Sequence, residues 1–346
     1  MDRMPGKRMN IRKMILLCAI VVGVTGIAGI GGFLFASKQN NVVRRADADS
    51  SISSDASSEA SSDGLIKDSF DGSVTYNGVR YEYNTAIDTV LFLGVDNSDQ
   101  SREGIGITEG GRSDAIILFV IDNENKLITP LEISRDTMVS VDIYDNEGNY
   151  LTQGIEQLTM QYSYGTSPRN ACNLTKEKVS DLLFRTRIDS VVSLTMDGIA
   201  PVVDAIGGVT LTLTTDETDI DPSYTEGATI HLDGEAATAF VHTRDITTRG
   251  SNNDRMSRQT QFMLALFQTI TKNGNSVLET MESAAADYLY EDIDADTMKH
   301  FTEYDYSGTV LTLPGENVAG DLHDEFYVDG DKLTEIVLDL FYKEAE

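Results

Sequence analysis

The sequence predicts an α/β domain, a mixed central sheet with helices on both faces, preceded by one transmembrane helix. Three observations predict it. From residue 88 onward, strand-length apolar runs alternate with helix-length segments. Residues 15–36 form a run of 22 without a charged side chain, directly after a cationic start. Between these regions lies a stretch of Ser, Asp and Ala with almost no large apolar residue.

Residues 1–14 carry Arg3, Lys7, Arg8, Arg12 and Lys13 against one acid, Asp2, and read as a cytoplasmic basic tail. At about 1.5 Å per helical residue, 15–36 is long enough for a hydrocarbon core of roughly 30 Å. A cleaved signal peptide would have a shorter apolar core and a small-residue cleavage site. Phe33-Leu34-Phe35 fits that poorly, and Cys18 comes too early for lipid attachment. The chain is therefore expected in the cell membrane as a single-pass protein, its C-terminal domain outside. Residues 37–70 read as a disordered linker, because ADADSSISSDASSEASSDG buries too little apolar surface to offset the entropy of ordering. Residues 71–346 are the outer domain.

Within it, 74–83 (VTYNGVRYEY) predicts a hairpin turning at Asn77-Gly78. TVLFLGV (89–95), AIILFVI (115–121) and LITPLEI (127–133) predict buried strands. A helix over 175–184 leads to a strand at 190–196, and a short helix over 197–206 ends at Gly207-Gly208. A strand at 209–215, helices at 234–243 and 254–272, strands at 309–314 and 325–328 and a helix over 331–342 complete the pattern.

The formal charge is −29, and the first 36 residues are net cationic, so the outer domain is strongly acidic. Such a surface repels nucleic acid. Cys172 is the one cysteine beyond the apolar run, so no disulfide can form within the outer domain. His231, His242, His300 and His323 have no Gly-x-Ser-x-Gly partner, and no Cys/His spacing suits zinc.

Charge interrupts the pattern at strand ends: Gly94-Val95-Asp96, Gly111-Arg112-Ser113-Asp114 and Ser134-Arg135-Asp136. Strand ends are where open α/β sheets place ligands, although loop ion pairs would look the same. Downstream, Phe240-Val241-His242-Thr243-Arg244-Asp245 closes one helix, and Asp254-Arg255-Met256-Ser257-Arg258-Gln259 opens another. Arg255, Arg258 and Gln259 share a helix face. They could pair with local acids, or hold an anion against the helix N-terminus, for which the planar guanidinium is suited.

In these motifs the sequence resembles the LytR–CpsA–Psr proteins of bacterial cell envelopes, from about residue 88 to 272. The similarity continues through Tyr162-Ser163-Tyr164-Gly165, Asp204-Ala205-Ile206-Gly207-Gly208-Val209 and Leu232-Asp233-Gly234-Glu235-Ala236. The resemblance implies an enzyme that moves a glycan phosphate from a polyprenyl-pyrophosphate carrier to peptidoglycan. It places Mg²⁺ on Asp96 and Asp114, and the pyrophosphate on Arg112, Arg135, His242, Arg244, Arg255, Arg258 and Gln259. Asp114 and Arg135 would be the catalytic pair. A binding protein on the same fold, or a pyrophosphatase lacking an acceptor, would need the same residues. The chain departs from the family at His242-x-Arg244, where Arg-x-Arg is usual, and at Gln157-Leu158-Thr159, where Lys-Ile-Asn is usual.

Overall fold

The computed structural model describes residues 66–67, 72–96, 111–145, 147–243, 275–292, 305–307, 310–320 and 323–345. It also describes helical residues 255, 257–259, 261–262, 265–266 and 269. The basic tail, the segment 15–36, most of 37–70 and Arg244 lie outside the described residues. Among those described, no helix is long and apolar enough to cross a membrane.

Strands β1 (Ile66–Lys67), β2 (Val74–Tyr76) and β3 (Val79–Tyr83) open the fold. Asn77 and Gly78 both have positive φ, 50° and 80°, the backbone that a tight two-residue hairpin turn demands. Next come β4 (Ile87–Val95), β5 (Ser113–Asp122) and β6 (Leu127–Glu132), followed by the hairpin β7 (Met138–Tyr144) and β8 (Tyr150–Gln157). Helices α1 (Met160–Ser163) and α2 (Pro168–Leu182) lead to β9 (Ser190–Thr195), and a 3-10 turn at Met196–Gly198 runs into α3 (Ile199–Ala205). Then follow β10 (Val209–Thr212), β11 (Thr229–Leu232), α4 (Gly234–His242), the Arg255 helix and α5 (Asn275–Ala285). The chain continues through β12 (Leu289–Glu291), β13 (Asp305–Tyr306), β14 (Leu311–Thr312), β15 (Gly315–Ala319), β16 (Asp324–Val328), α6 (Gly330–Phe341) and β17 (Tyr342–Glu344).

The central sheet runs β12-β9-β4-β5-β6-β13, with β14 also on β6. It is mixed: β4 is parallel to β9 and antiparallel to β5. β13 pairs with β6 at residues 127–128 and β14 at 131–132, so the interval between them contains Pro130, which has no N–H to donate.

Both faces of this sheet are covered, which is why its strands read as unbroken apolar runs. Val90, Phe92, Ile117, Phe119, Val192 and Leu194 point to one side, where they meet Val202 of α3, Phe240 of α4, Phe262 and Leu266 of the Arg255 helix and Met281 of α5. Leu91, Leu93, Ile116, Leu118 and Val191 point to the other, against Cys172 and Val179 of α2 and Val337 and Phe341 of α6. Burial pushes the Cys172 thiol up to about 12, so it stays an apolar core group.

Three sequence expectations are corrected. The helix expected at 175 begins at Pro168, where Ser167 caps it by accepting from the Asn170 N–H at 3.2 Å. The hairpin β7–β8 and the strand β15, which pairs with the expected strand at 325–328, were not anticipated, because β8 is largely exposed and β15 wholly so, and neither shows the apolar alternation of a half-buried strand. The strand expected over 309–314 contracts to Leu311–Thr312, the two residues that pair with β6.

Candidate active site

The ends of β4, β5 and β6 form one corner of the molecule. Where β4 stops, the Asp96 N–H donates to the Arg112 carbonyl at 3.0 Å, and the Arg112 N–H donates back to Asp96 Oδ1 at 2.6 Å. This exchange pins the first acidic position to the entry of β5, two residues before Asp114. After β6, Ser134-Arg135-Asp136-Thr137 makes a tight turn in which the Thr137 N–H and hydroxyl both donate to the Ser134 carbonyl, at 3.1 and 2.6 Å. The Arg135 carbonyl accepts from the Thr159 N–H at 3.1 Å, anchoring the turn to the segment after β8.

From that turn the Arg135 guanidinium bonds Asp114 Oδ1 through Nη1. The other Asp114 oxygen accepts from Arg255 Nη1 at 3.1 Å. Asp114, Arg135 and Arg255 are all withdrawn from water, with side chains 5%, 10% and 4% exposed. Behind Arg135, Asp136 Oδ1 lies 3.4 Å from its Nε and accepts from Gln157 Nε2 at 2.7 Å. Gln157 Nε2 also donates to the Asp324 carbonyl at 2.8 Å. A linked line of groups therefore runs Gln157, Asp136, Arg135, Asp114, Arg255, joining β8, the turn after β6, β5 and the Arg255 helix.

Withdrawal of the Asp96 carboxyl from water, and then the like charge of Asp114, hold its pKa above the ordinary carboxylate value; the Arg112 N–H and the Arg135 and Arg112 charges partly offset this. Asp96 and Asp114 are the pair that could hold a metal. Two hard carboxylates that repel one another suit a hard divalent cation such as Mg²⁺, which takes its remaining ligands from water and phosphate oxygens. Among the described residues no group of three metal-ligating side chains gathers.

The structure thus brings together Asp96, Arg112, Asp114, Arg135 and Arg255. His242 is exposed at the last turn of α4. Arg258 and Gln259, grouped with the anion ligands by the sequence, are turned into the scaffold. Arg258 donates to the Phe240 carbonyl at 2.9 Å, to Glu217 Oε2 at 3.0 Å and to the Thr243 carbonyl, and Gln259 Nε2 donates to the Val241 carbonyl at 3.0 Å. Sequence reasoning missed the parts of Asp136, Gln157 and Glu217. Asp136 stood in a flagged cluster, but Glu217 lies in the acidic stretch 216–221 with nothing to distinguish it.

A profile of the LytR_cpsA_psr family matches residues 44–338. Over 193 residues the chain is 29% identical to the polyisoprenyl-teichoic acid–peptidoglycan teichoic acid transferase TagV of Bacillus subtilis (strain 168), covering 54% of this chain and 44% of that one. Over 216 residues it is 28% identical to the transferase TagU of Enterococcus faecalis (strain ATCC 700802 / V583), covering 61% and 63%. The chain thus spans less than two thirds of the length of either relative. Protein gbs0355 from Streptococcus agalactiae shares the fold, with a TM-score of 0.56 at 20% identity, covering 76% of this chain and 90% of that one.

Proposed function

Because this chain belongs to the LytR–CpsA–Psr family, we propose that it is a cell-wall glycopolymer transferase, moving a glycan phosphate from a polyprenyl-pyrophosphate carrier to peptidoglycan. The observation that carries this reading is the buried Arg135–Asp114–Arg255 constellation at the sheet end. Pyrophosphate spreads negative charge over several oxygens, and transfer gathers more of it on the leaving phosphate. Catalysis is then chiefly a matter of fixed positive charge and positioning.

Asp114 holds the two guanidinium groups on either side of itself, so their planar forks are oriented before substrate arrives. Arg112 stands at the exposed rim, where it meets the anion first, and the family resemblance assigns His242 and Arg244 to the same pyrophosphate. Mg²⁺, when bound at Asp96 and Asp114, supplies further charge neutralisation at the pyrophosphate. In the transfer, an acceptor hydroxyl of peptidoglycan forms a bond to the phosphorus next to the glycan, and the bond from that phosphorus to the bridging oxygen breaks. Polyprenyl phosphate leaves with the electron pair, and the proton of the acceptor hydroxyl passes to solvent. Fixed cations act at contact range, whereas the acidic surface is screened beyond about 10 Å.

This reading also places 15–36 in the lipid bilayer, the tail 1–14 in the cytoplasm, 37–70 as a spacer and the domain outside the cell. The −29 charge disfavours nucleic acid as a partner. The test is release of polyprenyl phosphate from a lipid-linked glycan by the purified full chain with Mg²⁺ and peptidoglycan fragments. Asp114→Asn is expected to lower the rate about a hundredfold or more. Lipid binding without release would replace the transferase by a binding protein, and release into water without acceptor by a pyrophosphatase.

A further inference from the structure

We propose that Glu217 and Arg258 form a positioning clamp that sets where Arg255 and the end of α4 stand in the anion site, an inference that rests on the transferase reading. Helix α4 ends without a glycine cap. Its last carbonyls, which have no partner within the helix, are taken up instead by side chains from the Arg255 helix. Arg258 Nε donates to the Phe240 carbonyl at 2.9 Å, Arg258 Nη2 to the Thr243 carbonyl, and Gln259 Nε2 to the Val241 carbonyl at 3.0 Å. The guanidinium charge also sits at the negative end of the α4 dipole.

Among the described residues, one carboxylate orients Arg258 for this. Glu217 Oε2 accepts from its Nη1 at 3.0 Å, and both side chains are almost wholly buried, 3% and 5% exposed. Glu217 is itself fixed, because its Oε1 accepts from the Thr215 hydroxyl at 2.7 Å and its N–H donates to the Tyr224 carbonyl at 2.8 Å. Gln261 ties the same loop to the same helix, accepting from the Thr214 N–H at 2.7 Å and donating to the Thr215 hydroxyl at 3.1 Å. Three segments are thus locked at one point: the loop 214–217, the last turn of α4 and the first turns of the Arg255 helix.

Arg255 lies one helical turn before Arg258, so the lock fixes its height and rotation opposite Asp114. On the other side it fixes Thr243, from which the chain continues directly to Arg244. Arg258 therefore acts on the substrate through its neighbours. The pair is an expensive element for stability alone, since buried ion pairs are often replaceable by apolar groups, and geometric specificity is what such a pair supplies here.

The experiment uses the full chain in detergent and two readouts: amide hydrogen exchange, and affinity for inorganic pyrophosphate with Mg²⁺. Glu217→Gln keeps the shape and removes the charge. It is expected to speed exchange at residues 241–243 and 257–259 and to weaken pyrophosphate binding roughly tenfold. In an Arg255→Ala background the same substitution is expected to add nothing further, whereas a general loss of packing would add its full effect again. Gln259→Met, which removes the Val241 contact and keeps both Glu217 and Arg258, gives the same test if Glu217→Gln fails to fold. Unchanged exchange in these segments, or additive losses with Arg255→Ala, overturns the clamp. A wild-type chain that binds no pyrophosphate overturns the transferase reading instead, and the exchange comparison then still decides whether the clamp exists.

Discussion

At Asp96 a carboxyl is withdrawn from water within reach of the like charge of Asp114. Its pKa is raised, first by withdrawal from water and then by Asp114, so its ionised form is disfavoured in the fold. The stability it contributes is fully present below the ordinary carboxylate pKa and is lost as pH rises through the raised, folded value. In metal-free buffer, Asp96→Asn should therefore melt at a higher temperature than the wild type at pH 7, with the gap closing as the pH falls into the carboxylate range. Arg135 behaves differently, because it is paired in the fold and the proposed function also gives it the pyrophosphate to hold. Arg135→Lys keeps the charge without the fork, and should lower turnover by tenfold or more while costing less than about 2 kcal/mol in urea unfolding. Arg135→Ala leaves Asp114 buried with a partner removed, and should cost about 3 kcal/mol. Asp114 and Arg135 stood out in the sequence because charges at strand ends break an otherwise apolar pattern, and Arg255 because it shares a helix face with Arg258 and Gln259. Arg258 and Gln259 were not separable from Arg255. Helical spacing shows which residues share a face, but not which carbonyls that face meets.

Among the elements, α3 and α4 make a close crossing whose cause is a single glycine. A Cβ at Gly234 would stand 2.4 Å from the Ala200 carbonyl and 2.7 Å from Asp204 Oδ2. The Gly234 N–H uses that proximity, donating to Asp204 Oδ1 at 2.7 Å, and Asp233 caps α4 by accepting from the Ala236 N–H at 2.9 Å. The motif Leu232-Asp233-Gly234-Glu235-Ala236 is thus packing chemistry, a cap followed by a close approach. Gly234→Ala should destabilise the domain by about 1–3 kcal/mol in thermal or urea unfolding, through forced separation of the two helices. Elements buried on both faces, such as β4 and β5, were readable from their apolar runs. The β7–β8 hairpin was not, since its inner face rests on the small satellite core of Val141, Tyr164 and Leu174, while Leu151 and Ile155 stay exposed.

For the molecule as a whole, a net charge of −29 means that folding brings like charges together. Raising salt from about 0.02 to about 0.3 M should therefore raise the melting temperature, most steeply at the low end where the screening length is longest. The mixed sheet and its two covered faces were legible because apolar runs alternated with helices. The path of the final segment was not, because a short exposed strand such as β17 has no apolar signature. That strand has its own consequence. Tyr342–Glu344 pair with β3, and the Tyr342 ring meets Tyr83 edge-on at 5.5 Å, so residues more than 250 positions apart in sequence close one sheet. A growing chain emerges from the ribosome in order, and β3 waits with an open edge until residue 344 has been made. Until its own closing strand arrives, that edge must be kept from pairing with strangers.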